Sequence, residues 1–126
     1  NTTAVVAAVL RSSTGNDSTA VGFRALYANT TGSSNTAVGR ESSGSVTTGV
    51  NNTTVGYRSG YNLTTSSSNT AVGHSALFSA TTGTANVAIG ADAGEDISTG
   101  NRNTVVGNIA GSSVHNVWRK QYSGRS

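Results

Sequence analysis

Asn35-Thr36-Ala37-Val38-Gly39 returns as Asn69-Thr70-Ala71-Val72-Gly73 and, with small changes, as Asn52-Thr53-Thr54-Val55-Gly56, Asn86-Val87-Ala88-Ile89-Gly90 and Asn103-Thr104-Val105-Val106-Gly107. The closing glycines Gly22, Gly39, Gly56, Gly73, Gly90 and Gly107 stand 17 residues apart. A second glycine column, Gly15, Gly32, Gly49, Gly83 and Gly100, keeps the same step, with Ser66 in the missing place. Thr31, Thr48, Thr65, Thr82 and Thr99 form a third column. Columns held in phase over this many copies are the signature of a repeat architecture. Read from Asn1, whose Asn-Thr word falls in the same register, the unit runs without insertion or deletion. It gives about seven coils over residues 1–113, the first degenerate, then a non-repeat tail over 114–126.

Each unit has β-type residues and turn residues in the proportions of one coil. Thr36-Ala37-Val38 reads as a short strand closed by Gly39; Val46 to Thr48 reads as a second, closed by Gly49. β-branched residues, Ser, Asn and Gly dominate, and no 3.6-residue period persists, which argues against helix. The expected fold is all-β, a parallel β-solenoid with 17-residue coils. Seven coils stacked at roughly 4.8 Å make a rod about 33 Å long.

Alternation along the strand assigns its faces. The Val21, Val38, Val55, Val72, Ile89 and Val106 column is expected inside, with Thr19, Thr36, Thr53, Thr70, Val87 and Thr104 on the same face. Ala20, Ala37, Thr54, Ala71, Ala88 and Val105 then form an apolar outer wall, expected as the seam against another subunit. The glycines supply positive φ and Asn tolerates it. Stacked Asn side chains can also hydrogen-bond along the rod.

Composition narrows the function. Charged residues are 10% and aromatics 6% of the chain, so the core is thin and association would hide further apolar surface. The net charge of +3 comes from Arg119, Lys120 and Arg125. In the repeats, Arg11, Arg24, Arg40, Arg58 and Arg102 balance Asp17, Glu41, Asp92, Glu95 and Asp96. No basic face runs along the fold, so nucleic acid is not expected as a partner. The chain has no cysteine, hence neither disulfide nor thiolate metal site. No apolar run is long enough to span a membrane. Ala4 to Leu10 is too short and lacks a basic leader for a signal peptide. The absence of an initiator Met suggests a fragment or a processed product.

No catalytic arrangement stands out. His74 and His115 lack a paired acid at useful spacing, no phosphate loop or nucleophile elbow occurs, and the many hydroxyls have no positioned base. Asp92, Glu95 and Asp96 share one coil and suggest Ca²⁺, but a solvated acidic turn accounts for them, so neither a metal nor a cofactor is expected, and the chain is not expected to be an enzyme. The sequons at Asn1, Asn16, Asn29, Asn51, Asn52 and Asn62 arise from an Asn/Thr-rich repeat. One place departs from the background. After the first glycine come Phe23, Arg40, Tyr57 and His74, and four residues on come Tyr27, Gly44, Tyr61 and Phe78, with Arg24 and Arg58 between them. Phe23, Arg24, Tyr27, Tyr57, Arg58, Tyr61, His74 and Phe78 are therefore the candidate contacts for a receptor or glycan. Capping of the core or bracing between subunits is the competing role.

The words Asn86-Val87-Ala88-Ile89-Gly90 and Asn103-Thr104-Val105-Val106-Gly107 resemble the head repeats of YadA-type trimeric autotransporter adhesins. The longer unit Asn69-Thr70-Ala71-Val72-Gly73-His74-Ser75-Ala76-Leu77, followed by Thr81-Thr82-Gly83, resembles tail-fibre repeats of bacteriophages, notably those of aquatic bacteria. The resemblance covers residues 18–113. It implies left-handed β-rolls packed as a homotrimer, located in a virion tail fibre or otherwise at a cell surface. The implied role is a structural or adhesive fibre segment, a spacer or receptor-binding element meeting a host glycan or protein. The 17-residue unit is longer than usual in adhesin heads, so one turn is expected to be larger. The tail is not recognisable as a neck or membrane anchor, which favours the viral fibre. Alternatives are an adhesin head, a self-assembling extracellular filament in which Trp118 and Tyr122 dock on a neighbour, and an ice-binding solenoid. Against the last, adjacent threonines such as Thr30 and Thr31 point to opposite faces.

Overall fold

A computed structural model describes residues 3–5 and 13–112. The tail over 114–126, with His115, Trp118 and Tyr122, lies outside the described residues. Seven strands, β1 (Thr3–Val5), β2 (Thr19–Val21), β3 (Thr36–Val38), β4 (Thr53–Val55), β5 (Thr70–Val72), β6 (Val87–Ile89) and β7 (Thr104–Val106), form one sheet in chain order. Every pair is parallel. A parallel neighbour that is also the next strand in the chain requires the intervening residues to make a full circuit. The protein is an all-β solenoid, and its described residues contain no helix.

The step is 17 from β2 to β7, as in Thr19↔Thr36 and Thr70↔Val87. The first step is 16, because Thr3 pairs with Thr19 and Val5 with Val21. The expectation of an unbroken register from Asn1 is thus corrected. The strand word Thr3-Ala4-Val5 matches Thr19-Ala20-Val21, and that identity outweighs the Asn1-Thr2 match.

Only one strand forms per coil. At the expected second strand the backbone N–H groups of Thr47, Thr48 and Gly49 all aim at the Thr64 carbonyl, at 2.8, 3.2 and 3.4 Å. A ladder would pair them with successive carbonyls; here they converge on one, and the chain bends. The rest of the circuit is a run of tight turns. Residues two apart, Arg24 with Leu26 and Glu41 with Ser43, take φ near +50 to +58°. Bonds such as Ala25 N–H to Gly22 O (3.2 Å) close the turns, and bonds such as Leu26 N–H to Ser42 O (3.1 Å) tie coil to coil.

The two faces of the strand are the reverse of the expectation. Ala20, Ala37, Thr54, Ala71, Ala88 and Val105 are buried, all at 0–1% exposure, while Val55, Ile89 and Val106 are 37%, 41% and 46% exposed. The small-residue column is the core wall and cannot serve as a subunit seam. The reason is room: the circuit folds back closely behind a three-residue strand, which favours small side chains, with Val105 the largest in the column. Thr54 is accommodated because it faces small hydroxyl residues, and its Oγ1 lies 2.7 and 2.8 Å from Ser42 Oγ and Ser43 Oγ.

Larger core residues alternate between two positions three residues apart. Successive coils carry Leu26 with Asn29, Ser43 with Val46, Gly60 with Leu63, Leu77 with Ala80, and Gly94 with Ile97, all buried. From Ser43 onward each coil supplies one bulky aliphatic and one small partner, filling the same volume by different means.

Beside this apolar core runs an amide ladder. Asn52, Asn69, Asn86 and Asn103 each donate the backbone N–H (2.9–3.0 Å) and Nδ2 (3.0–3.2 Å) to Oδ1 of the Asn one coil earlier. The second Nδ2 hydrogen of Asn52, Asn69 and Asn86 reaches the carbonyls of Ser66, Gly83 and Gly100, at 2.8–2.9 Å. The ladder therefore pins the strand to the opposite turn. That turn holds the second glycine column, where proximity rather than positive φ favours glycine, Ser66 excepted. A Cβ on Gly49 would sit 2.2 Å from the Ser66 carbonyl oxygen.

Candidate functional site

The corner just past the strand carries every aromatic side chain among the described residues. Stacking places residues 17 apart in register, so the sequence columns become physical stacks. The first is Phe23, Arg40, Tyr57 and His74. The Arg40 guanidinium lies 5.7 Å from the Phe23 ring and 5.9 Å from the Tyr57 ring, and Tyr57 sits 5.3 Å from His74. It is a cation–π sandwich continued by a ring pair. The second column is Tyr27, Gly44, Tyr61 and Phe78. Tyr61 and Phe78 are stacked, 5.6 Å apart and tilted by 10°, but at Gly44 the column has no side chain.

A third column links the two. Arg24 lies between Phe23 and Tyr27, at 5.3 and 5.2 Å, and Arg58 between Tyr57 and Tyr61, at 5.3 and 5.7 Å. Between them on the intervening coil is Glu41, which accepts a 2.6 Å bond from Arg58 Nε. That bond, helped by the charges of Arg58, Arg40 and Arg24, holds the Glu41 carboxyl below the usual carboxylate range, against the opposing effect of burial. The sign order along the column, Arg24, Glu41, Arg58, makes the three mutually supporting.

All eight candidate contacts therefore lie on one surface: Phe23, Arg24, Tyr57 and His74 are exposed, and Tyr27, Arg58, Tyr61 and Phe78 half-buried. Arg40 and Glu41 belong with them and were not among the candidates. The signal was available, since Arg40 stands 17 residues from both Phe23 and Tyr57, and Glu41 from both Arg24 and Arg58. His74 does have an acidic neighbour, correcting the expectation: Asp92, on the next coil, places Oδ1 3.3 Å from Nδ1. Both groups are substantially exposed, and a pair in that setting contributes little. The acidic residues of the same coil do not converge; among the described residues no three His, Cys, Asp or Glu side chains meet around a point that could hold a metal.

At the inner edge of the stripe, Arg24, Tyr27, Ala28, Glu41, Gly44, Ser45 and Tyr61 line a cleft of about 250 Å³. A Cβ on Gly44 would come within 2.8 Å of Tyr61 Cε2, so the missing side chain is what lets Tyr61 settle over the backbone there. No helix among the described residues is long and apolar enough to cross a membrane. Neither a protein-family model, nor a curated protein, nor a solved structure matches the chain.

Proposed function

We propose that the chain is a structural and adhesive fibre segment that works as a homotrimer of β-rolls, in a phage tail fibre or another extracellular fibre. The observation that carries this reading is the outer face of the sheet. Val55, Ile89 and Val106 are exposed there, with Val21, Val38 and Val72 half-buried beside them, while the inner face of the strands carries chiefly Ala. A stripe of β-branched apolar side chains repeated at every coil is unusual on a surface that stays in water. Its occupant is a second and third copy of the same chain, because identical coils offer an identical ladder that matches itself in register. The likeness of the repeat to adhesin heads and phage tail fibres agrees with three copies and a left-handed roll. The aromatic–arginine stripe would then face outward along the fibre, toward a host glycan or protein.

Sedimentation equilibrium tests the assembly. Three chains are expected for the native protein, and a single chain for Val55→Glu combined with Ile89→Glu. A native single chain would refute the trimer. One observation favours a second reading, ice binding. The outward face pairs Thr19, Thr36, Thr53, Thr70 and Thr104 with the Val column, a regular Thr-x-Val array on one parallel sheet. A single chain that shows thermal hysteresis would establish it in place of the fibre.

A further inference from the structure

The stripe contains one interruption, and its chemistry points to a ligand. In the first aromatic column the coil between Phe23 and Tyr57 supplies Arg40, which fills the space between the rings. In the second column the same coil supplies Gly44, and the equivalent space between Tyr27 and Tyr61 is the 250 Å³ cleft. Ligand pockets for drug-sized molecules begin near ~300 Å³, so the cleft has room for one ring and little more. Tyr27 and Tyr61 line it from two coils, with Gly44 of the intervening coil between them.

The charges choose among possible rings. A sandwich between two aromatic faces would accept a cation, as Arg40 shows. Here, however, the charged residues lining the cleft are Arg24 and Glu41, and the Glu41 carboxylate is already taken by a 2.6 Å bond from Arg58 and by the nearby Arg40 charge. The local excess of positive charge disfavours a cation. Arg24 is held by its two flanking rings and has no carboxylate partner among the described residues. Its guanidinium edge can present a fork that suits a carboxylate. The apolar C–H face of a saccharide fits against Tyr27 or Tyr61, and its hydroxyls can reach Ser45 and the outer oxygen of Glu41.

We infer that the Gly44 cleft binds one acidic monosaccharide unit of a cell-surface polysaccharide, its carboxylate on Arg24 and its ring between Tyr27 and Tyr61. This rests on the adhesive reading and gives that surface a ligand class. Gly44 would then be a specificity determinant: the coils on either side of it, and the next, fill the equivalent place with the rings of Tyr27, Tyr61 and Phe78.

The test is an NMR titration of the full chain with sodium glucuronate, using glucose and acetate as controls and reading the Tyr27 and Tyr61 ring signals. Saturable binding in the millimolar range is expected for glucuronate, about tenfold weaker for glucose, a difference of ~1.4 kcal/mol, with no saturation by acetate. Gly44→Tyr should abolish binding while leaving the β-sheet signals intact, since no positive φ is required here and the nearest obstruction is the Tyr61 ring, with the Glu41 carbonyl oxygen, at 3.1 Å, needing to give by only a few tenths of an ångström. Arg24→Gln should reduce glucuronate to the level of glucose. Equal binding of acid and neutral sugar, or a Gly44→Tyr protein that binds unchanged, overturns the inference. Should Gly44→Tyr fail to fold, Tyr27→Ser takes its place, with the same expected loss. Sedimentation of the same samples separates the two claims. A trimer that does not bind glucuronate removes the cleft alone, and a single chain that does removes the fibre assembly alone.

Discussion

The strand wall and the aromatic corner are made by the same 17-residue unit, only a few residues apart, yet they use stacking in opposite ways. Along the strand wall each column keeps one chemistry, Asn over Asn and, Thr54 and Val105 excepted, Ala over Ala, so every coil repeats the bonds of the last. Along the corner the columns change chemistry at each step, Phe to Arg to Tyr to His, and Arg to Glu to Arg. Uniform columns suit buried ladders, where a change leaves a polar group unpaired. Mixed columns suit a wet surface, where unlike neighbours attract and like charges would repel. The difference teaches where this fold can accept variation, and hence where a specific site can arise without cost to the rod.

The sharpest way to break the strand wall is at its closing glycine. Gly56 has φ of +134°, and a Cβ there would lie 2.5 Å from the Gly73 carbonyl oxygen. Both the strain and the clash are with backbone, which neighbouring coils hold in place. Gly56→Ala is expected to cost more than about 4 kcal/mol, the range of exceptional substitutions, and urea unfolding would read it. A loss under about 1 kcal/mol would show that the coils can slide apart locally.

The next largest effect compares the middle of the amide ladder with its end. Asn69→Ala deprives the Asn86 N–H and Nδ2 of their acceptor, and leaves Asn52 Oδ1 and the Gly83 carbonyl short of a donor. Buried groups left unsatisfied cost ~1–3 kcal/mol each, so a loss of about 3 kcal/mol or more is expected. At Asn103, Oδ1 is buried without a hydrogen-bond partner among the described residues, so Asn103→Ala removes an acceptor that serves no other described group. It is expected to cost roughly 1–2 kcal/mol, mainly the Nδ2 bond from Asn103 to Asn86 Oδ1, since the backbone N–H bond survives in alanine. Equal losses at the two positions would mean the ladder is not cooperative. Leu77→Ala belongs to the same scale, at about 2–5 kcal/mol. Ala80→Leu should also destabilise, by roughly 1–3 kcal/mol, because it would add a bulky residue to a column already holding Leu63 and Ile97 on the adjoining coils.

The period, the all-β class and the place of the strand were legible because repeated Gly and Asn words survive in any register. The faces of the strand were not. Ranking by hydrophobicity puts Val inside and Ala outside, but the width of the circuit decides, and width is set by turns whose φ values come from residues as unremarkable as Leu26 and Ser43. If the Asn35, Asn52 and Asn69 column forms a buried ladder, then Ala37, Thr54 and Ala71, two residues on, share its face. The second strand misled for a related reason: Val46-Thr47-Thr48 has strand composition, yet three N–H groups turned toward one carbonyl satisfy the backbone without a ladder. At the corner the aromatic residues were legible as a cluster, whereas Arg40 and Glu41 acquire meaning only from the coils above and below.

The corner should give the smallest effects. Tyr61→Ser removes the stack on Phe78 and the face under Arg58, worth about 1 kcal/mol. The Glu41 carboxyl offers a finer test, because its contribution depends on pH. Its folded pKa lies below the ordinary value of 4.5, owing first to the Arg58 hydrogen bond and then to the surrounding arginine charges. Between the two values the unfolded chain binds more protons than the folded one, so stability rises with pH across that window. The Glu41 contribution is therefore complete above pH 4.5 and drains away as pH falls through the lower, folded pKa. Glu41→Gln lacks a titrating group at this place. Thermal melts of the two proteins should differ at pH 7, with the native chain the more stable, and should converge on acidification below pH 4.5. A difference that persists at the lowest pH would assign the effect to the shape of the side chain, and the alternating charges of the corner would then not be what holds it together.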